Sequence, residues 1–174
     1  MRRARIVRLC TAALLLLIAW VHPLHAQTPP PSPCAAAEFR QFDFWIGEWA
    51  VTVGGKPAGT NRIESIARGC GLQENWTPAG GSGSGVSLNG YSPQDGKWHQ
   101  VWLGGGPLMH LTGGLRDGRM ILEGRTAGRD KTTTLQRITW SPLDDGRVRQ
   151  LWEQSTDAGK TWTVAFDGMY ARRK

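Results

Sequence analysis

The sequence predicts an all-β protein, an antiparallel up-and-down β-barrel of about ten strands with a short N-terminal helix. After residue 41 the apolar side chains show no sustained period of about 3.6 residues, which an amphipathic helix would require. Instead, short runs rich in Trp, Val, Ile and Thr are interrupted by Gly, Pro and Asp at intervals of about 8–12 residues, as in β-sandwiches and barrels. Asp-Gly pairs at 95–96, 117–118 and 145–146 supply the positive-φ turns that hairpins need.

The N-terminal segment, residues 1–26, is predicted to be a secretory signal peptide. It opens with four arginines between residues 2 and 8, continues with an apolar run from about Leu9 to Val21, and ends in Leu24-His25-Ala26. This order is typical of a signal that is cleaved after Ala26 and predicts a secreted or periplasmic protein. The apolar run is shorter than the roughly 20 residues that a transmembrane helix needs. We therefore expect no membrane span in the mature chain, with an uncleaved anchor as the alternative.

Loss of this segment brings the chain close to neutrality. The whole sequence has 21 basic and 14 acidic residues, a net charge of +7. Four of the basic residues and none of the acidic ones lie in residues 1–26, which leaves 17 against 14 and a net charge of +3. The last four residues contain the only Lys/Arg cluster of the mature sequence. The composition therefore argues against a nucleic-acid partner.

The mature chain has two cysteines, Cys34 and Cys70. In an oxidising compartment such a pair predicts a disulfide. The bond would close a loop of about 36 residues and stabilise the fold by about 3–4 kcal/mol in the chain-entropy description. The alternatives are two free thiols or a redox pair, although the sequence lacks the C-x-x-C spacing of redox pairs.

Residues 27–33 are predicted to be a Pro-rich leader, and residues 34–174 a single β-barrel domain that begins with a short helix at 34–41. No crossover helix separates the strands, so we expect antiparallel pairing. Closing the sheet would remove its two exposed edges, and an open sandwich is the alternative. The predicted strands are 44–53, 59–67, 70–77, 84–91, 97–103, 107–115, 119–126, 131–140, 146–155 and 160–171.

One turn matches a named motif. Residues 155–162 read Ser-Thr-Asp-Ala-Gly-Lys-Thr-Trp, which matches the Asp-box of sialidases, Ser/Thr-x-Asp-x-Gly-x-Thr-Trp. In such a box the Asp carboxylate accepts backbone N–H bonds across the turn, the Gly permits positive φ and the Trp packs under the hairpin. A propeller needs at least four blades of about 40 residues, more than this chain provides. The box therefore predicts a hairpin turn and not a glycosidase.

The eight tryptophans of the mature chain share strand faces with polar residues. Because side chains alternate along a strand, Trp98, Gln100 and Trp102 lie on one face. Residues 72, 74 and 76, and residues 148, 150 and 152, show the same mixture. Buried Gln and Glu need polar partners, so this mixture predicts a barrel interior filled by water or by a ligand. In the alternative interpretation the tryptophans cap a filled core.

The predicted ligand-binding set draws on these faces and adds three further residues, Trp45, His110 and Arg137. Arg137, like Arg125 and Arg149, could pair with a ligand carboxylate, with an outer-face ion pair to Glu as the alternative. His110 stands among apolar residues, where a packed core histidine is the alternative. The predicted ligand-binding residues are Trp45, Glu74, Trp76, Trp98, Gln100, Trp102, His110, Arg137, Gln150 and Trp152.

Several segments resemble a family of uncharacterised secreted bacterial proteins. The resemblance begins with the box Phe42-Asp-Phe-Trp-Ile-Gly-Glu-Trp49 and continues in Lys97-Trp98-x-Gln100-x-Trp102, in Val148-Arg-Gln150-x-Trp152-Glu153 and in Phe166-Asp-Gly-x-Tyr170. The Gly-x-Trp at 47–49 is also similar to the first-strand signature of calycin barrels, the lipocalin, fatty-acid-binding and nitrobindin-like proteins. The resemblance implies a calycin-like fold, a small apolar or amphipathic ligand, and a role for Trp49 as a plug at the closed end of the barrel.

The same resemblance bears on cofactors. Nitrobindin-like barrels bind haem through a His near the C-terminal end, whereas no His follows His110 here. We therefore expect no cofactor and no metal, with His110 as a haem ligand from another strand as the alternative. The predicted function is binding of a small hydrophobic or amphipathic molecule. The alternatives are a non-catalytic accessory or interaction module with a filled core, and a barrel enzyme of the isomerase or cyclase type that uses Glu74 or His110.

Overall fold

A closed barrel of ten antiparallel strands forms the protein. The structure, a computed structural model, describes residues 32–81, 83–128 and 132–173, all of which belong to one compact unit. The predicted signal peptide and residues 27–31 of the predicted leader lie outside the described residues. The strands are β1 Gly47–Val53, β2 Lys56–Ile66, β3 Gly71–Pro78, β4 Gly85–Ser92, β5 Lys97–Leu103, β6 Met109–Arg116, β7 Arg119–Ala127, β8 Thr133–Pro142, β9 Val148–Ser155 and β10 Thr163–Arg172.

The sheet closes because its first and last strands pair. Each strand pairs with the next along the chain, and β1 pairs with β10 from Trp49 opposite Arg172 to Val53 opposite Gly168. The prediction of an all-β, antiparallel, ten-stranded barrel is confirmed. The open sandwich is excluded, since the β1–β10 pairing leaves no free edge in the sheet that the described strands form.

The segment before β1 forms two short 3₁₀ helices, Ala37–Arg40 and Asp43–Trp45. The first of them stands where the sequence predicted a helix at 34–41, although it is shorter. The first strand was predicted to begin at residue 44 and to include Trp45, but Trp45 lies in the second 3₁₀ helix, and β1 begins at Gly47. The helical turn carries the fully buried rings of Phe42 and Trp45, stacked with centroids 4.9 Å apart, into the barrel.

The two ends of the barrel differ. Because consecutive strands run in opposite directions, the odd-numbered strands begin and the even-numbered strands end at the same end of the barrel. The two 3₁₀ helices cover this closed end, where Phe42 packs edge-to-face on Trp98 and Trp140. Trp49, near the start of β1, is also fully buried, and its indole N–H donates to the carbonyl oxygen of Trp45 at 2.9 Å. The opposite, open end carries the loops that follow β1, β3, β5, β7 and β9.

Side chains alternate between the interior and the outer surface along each strand. In β4, Ser87 and Asn89 are buried, whereas Val86 and Leu88, which alternate with them, are exposed. The pattern is the period of two that a pleated strand imposes. It places alternate residues of all ten strands inside one enclosed space.

The Asp-box forms the hairpin turn between β9 and β10. Asp157 accepts a bond of 2.9 Å from the backbone N–H of Thr161, and it also accepts bonds from the hydroxyls of Ser155 and Thr161. These bonds hold the pKa of Asp157 down at about 2, with the Thr161 hydroxyl as the first cause. Gly159 takes a φ of +88°. The motif therefore makes the turn that the sequence predicts.

Cys34 and Cys70 form the predicted disulfide, with Cα atoms 5.0 Å apart. The bond ties the segment before the first 3₁₀ helix to the start of β3. The Arg40 guanidinium donates a hydrogen bond to the carbonyl oxygen of Gly69 beside it. A disulfide of this kind indicates an oxidising compartment. None of the helices among the described residues has the length and apolar character needed to cross a membrane.

Replacement of both cysteines by serine should lower the free energy of unfolding by about 2–4 kcal/mol, because the unfolded chain gains the freedom of the opened loop. Urea denaturation of the oxidised protein and of the double variant measures this change. Wild-type protein treated with a reductant serves as the control and should unfold like the variant. An unchanged midpoint in both samples would show that the covalent tie does not stabilise the fold.

Candidate functional site

The open half of the barrel contains a cavity of about 230 Å³. It lies between the open end and the middle of the barrel. Six of its residues belong to the ligand-binding set that the sequence predicts. The lining residues are Glu74, Trp76, Gln100, Trp102, Met109, Ile138, Gln150, Trp152, Phe166 and Tyr170.

Four aromatic rings form the wall of the cavity near the open end. Trp76, Trp102, Trp152 and Phe166 are only partly buried, so the cavity reaches solvent between them. Trp76 and Phe166 meet edge-to-face with ring centroids 6.1 Å apart. The ring of Trp102 lies over the backbone of Gly85, where any Cβ atom would overlap the indole. A glycine at the start of β4 therefore lets this ring lie against the strand.

A network of buried polar groups forms the floor of the cavity around Glu74. The two carboxylate oxygens of Glu74 accept bonds from Asn61 Nδ2 at 2.7 Å and from Ser87 Oγ at 2.6 Å. Ser87 in turn accepts a bond of 2.9 Å from Asn89 Nδ2, and Gln100 Nε2 donates to Asn89 at 2.8 Å. Adjacent strands β2 to β5 supply these five residues, each at an inward-facing position.

Tyr170 extends the network across the barrel to β9. Asn61 Nδ2 donates to the Tyr170 hydroxyl at 3.3 Å, and that hydroxyl donates to Gln150. Burial raises the pKa of Tyr170 well above its ordinary value, and the nearby Glu74 carboxylate raises it further. Tyr170 therefore stays neutral and provides a hydroxyl group at the cavity floor.

Glu74 is the one carboxylic acid that lines the cavity in the described part of the chain. Only 4% of its surface is exposed, and this burial raises its pKa to about 7 against the bonds from Ser87 and Asn61, which lower it. The cavity lining contains no Lys, Arg or His among the residues that the structure describes. Near neutral pH, a buried carboxyl thus exchanges between its protonated and ionised forms at the base of an aromatic pocket.

The buried Gln136 side chain fixes the orientation of the Trp152 ring in the cavity wall. The indole N–H of Trp152 donates to Gln136 Oε1 at 2.7 Å, and Gln136 Nε2 donates to Thr126 Oγ1 at 2.9 Å. Gln136 itself is buried. Because its indole N–H is satisfied in this way, Trp152 presents apolar ring surface to the cavity.

Two of the predicted ligand-binding residues lie at the closed end. Trp45 and Trp98 are almost fully buried and pack around Phe42. The indole N–H of Trp98 donates to the carbonyl oxygen of Glu38 at 3.2 Å. The face that carries Trp98 does point inward, as predicted, but only its continuation at Gln100 and Trp102 reaches the cavity.

The other two predicted residues lie on the outer surface. His110 follows the inward-facing Met109, so its side chain is exposed, and it stacks on His99 with Nε2 and Nδ1 3.1 Å apart. The alternative of a packed core histidine is also wrong. Arg137 lies between two inward-facing residues of β8 and forms the outer-face ion pair that was its alternative, 3.1 Å from Glu153. Its guanidinium also lies 4.0 Å from the ring centroid of Trp162.

Four cavity residues were missing from the predicted set: Met109, Ile138, Phe166 and Tyr170. Phe166 and Tyr170 carried a usable signal, since aromatic residues four apart on one strand share a face. Met109 and Ile138 carried none, because an apolar residue on an inward face fits a filled core equally well.

Comparison of the sequence with protein-family models finds no match. Comparison with curated proteins finds no similar sequence either. The functional argument therefore depends on the cavity itself, an aromatic pocket with a carboxyl group at its base.

Replacement of Glu74 by Gln should abolish a pH dependence of stability that this carboxyl causes. Its pKa is about 7 in the folded chain against an ordinary 4.5, so ionisation favours the unfolded chain as the pH rises. The contribution of the protonated Glu74 carboxyl to the free energy of unfolding is complete below pH 4.5 and is lost as the pH rises through 7, a change of about 3 kcal/mol. The E74Q variant should therefore lose less stability than the wild type as the pH rises from 4.5 to 7.

Urea denaturation at intervals between pH 4 and pH 8 measures this difference. The exposed Glu64, which pairs with Arg62 on the outer surface, offers a matched control, and its substitution by Gln should leave in place the pH dependence that Glu74 causes. Parallel profiles for E74Q and the wild type would contradict the raised pKa of Glu74.

Proposed function

We propose that the protein binds a small apolar or amphipathic molecule in the cavity at the open end of its barrel. One observation carries the proposal: four partly exposed aromatic rings surround a space of about 230 Å³ above a floor of buried polar groups. Ligand sites in proteins commonly combine such apolar walls with a few polar groups that orient the ligand.

The volume limits the size of the ligand. An engineered apolar cavity of ~150 Å³ binds a benzene molecule. The cavity here is somewhat larger, which favours a body of one or two rings, or a short branched chain, over a long acyl chain. Part of the ligand would remain near the rim, because the cavity reaches solvent between the rings.

The cavity supports binding over an accessory module with a filled core. In a filled interior the polar floor would be covered by apolar side chains, as Phe42 and Trp45 cover the closed end. Here Glu74, Gln100 and Gln150 border open space instead. Binding without catalysis is the simpler role. The groups that donate hydrogen bonds to the Glu74 carboxyl are the buried Asn61 amide and the buried Ser87 hydroxyl, and neither residue lines the cavity.

We further propose that the protein works outside the cytoplasm and is related to calycin barrels. The signal-like pattern of residues 1–26 and the Cys34–Cys70 disulfide support secretion or a periplasmic location. The closed barrel and the buried Trp49 agree with the resemblance to calycins. An intact mass for the exported protein that begins at residue 27, two hydrogens lighter for the disulfide, would support both the cleavage site and the compartment.

Substitution of Trp102 by Ala should weaken ligand binding at least ~10-fold, because it removes a wall of the cavity while the closed-end core stays in place. Titration of the mature protein with toluene, indole and naphthalene, followed by calorimetry, gives the affinities. Native mass spectrometry of protein purified from its own compartment tests for a ligand that is already bound.

Trp162 provides the matched control, since it is also partly buried but packs against Arg137 on the outer surface. Its substitution by Ala should leave every affinity unchanged. If none of the three probes binds saturably and native and denatured masses agree, the binding function is wrong. Equal losses in both variants would mean that the Trp102 effect is a loss of folding.

A further inference from the structure

We propose that the cavity selects organic cations, in which an ammonium or quaternary ammonium group on a small apolar body lies between the Glu74 carboxylate and the aromatic rings of the wall. This inference rests on the proposed function, because it names the chemical class of the ligand. Three features of the cavity carry it: an uncompensated acid, free acceptor capacity on that acid, and the aromatic composition of the wall.

The Glu74 carboxylate has no cationic partner among the described residues. Its neighbours that face inward from β2 and β4 are Asn61, Ser87 and Asn89, which are all neutral. The nearest basic residue along β2 is Arg62, which points outward and pairs with Glu64 at 3.0 Å. A buried carboxylate without a cation is costly, and a cationic ligand would supply the missing charge.

The carboxylate also has acceptor capacity to spare. Each of its oxygens accepts one hydrogen bond, from Asn61 and from Ser87 respectively. An ionised carboxylate has about four acceptor positions, so about two remain for a ligand. Since Glu74 lines the cavity, an ammonium group that carries N–H bonds can donate to these positions, whereas a quaternary ammonium group is attracted by the charge of the carboxylate alone.

The wall suits a cation for a separate reason. The faces of aromatic rings carry negative electrostatic potential and attract ammonium groups, most strongly when the rings are tryptophans. Three of the aromatic rings around the cavity are tryptophans, and the others are Phe166 and Tyr170. Sites that bind quaternary ammonium groups commonly combine several aromatic rings in this way.

The same features disfavour anionic amphiphiles. Where Glu74 is ionised, a ligand carboxylate placed near the floor would meet its negative charge, and the described lining offers no Lys, Arg or His to balance the two. Like charges at close range in a pocket of low dielectric repel strongly. A fatty acid or an aromatic acid is therefore a poor ligand for this cavity.

Binding of a cation should be linked to the ionisation of Glu74. Apart from Glu74, the titratable group that faces the cavity in the described chain is Tyr170, which stays neutral because its pKa is well above the ordinary value. With a pKa of about 7, Glu74 is mostly protonated at pH 6 and mostly ionised at pH 8. A permanent cation displaces the proton into solvent at the lower pH, so its affinity should rise with pH.

A pair of isosteric probes tests the inference. Benzyltrimethylammonium carries a permanent positive charge, and neopentylbenzene has the same shape with carbon in place of nitrogen. In calorimetric titrations at pH 8 the cation should bind at least ~10-fold more tightly than the neutral probe. Between pH 8 and pH 6 its affinity should fall ~10-fold, whereas that of neopentylbenzene should change little. Phenylacetate, an anion of similar size, should bind more weakly than either.

The Glu74→Gln variant provides the decisive comparison, because it keeps the shape of the side chain and removes its charge. It should lose at least ~10-fold in affinity for benzyltrimethylammonium, lose the pH dependence, and bind neopentylbenzene within ~3-fold of the wild type. The exposed-site variant Glu64→Gln is the control and should match the wild type with both probes. Thermal unfolding of all three proteins establishes that they are folded under the conditions of titration.

The outcomes separate this inference from the function on which it rests. Equal affinities for the cation and its carbon isostere, or an E74Q variant that keeps its preference for the cation, would overturn cation selection and leave small-molecule binding intact. Tighter binding of phenylacetate would overturn it as well. If neither probe binds and the toluene, indole and naphthalene titrations also fail, the proposed function itself fails.

Discussion

Closure of the sheet is the constraint on which the other features of the molecule depend. Once β1 pairs with β10, every strand has two neighbours and a fixed register, so alternate side chains must enter one enclosed space. Val51 and Tyr170 stand opposite each other at this seam, and both are buried. Side chains just fill the interior of a closed barrel of about eight strands, and ten strands enclose a wider space. The two ends of the barrel fill this space differently. Aromatic rings pack inside the closed end, whereas the open end contains a cavity above a floor of polar groups.

The closed end shows how the first solution works. The two 3₁₀ helices before β1 bring Phe42 and Trp45 into contact with Trp140, and the disulfide holds this segment against the start of β3. Because the closed end is filled, solvent can reach the middle of the barrel only from the open end. The network around Glu74 therefore lies at the boundary between a dry core and an accessible cavity, where a buried carboxyl can keep a pKa near 7 and still meet a ligand.

The sequence predicts much of this architecture because turns and alternation are local properties. Asp-Gly pairs and the Asp-box mark the hairpins, and the period of two puts Glu74, Gln100 and Gln150 on strand faces that also carry tryptophans. Contacts across the barrel are different. That Glu74 meets Asn61 and Ser87, and that Tyr170 closes the network, depends on the register of neighbouring strands, which no single strand encodes. Arg137 and His110 are a different case, because alternation along their own strands, next to the inward-facing Ile138 and Met109, already places them on the outer face.

The unequal distribution of the tryptophans has a spectroscopic consequence. Trp45, Trp49, Trp98 and Trp140 are almost fully buried, whereas Trp76, Trp102 and Trp152 border the cavity and remain partly exposed. The eighth tryptophan of the mature chain, Trp162, packs against Arg137 on the outer surface, away from the cavity. Indole emission shifts to longer wavelength as its surroundings become more polar, so the two groups contribute to different parts of the spectrum. A molecule that enters the cavity displaces water from the second group alone. The emission spectrum of the unlabelled protein should therefore change when the cavity is occupied, while the contribution of the buried indoles stays constant and serves as an internal reference.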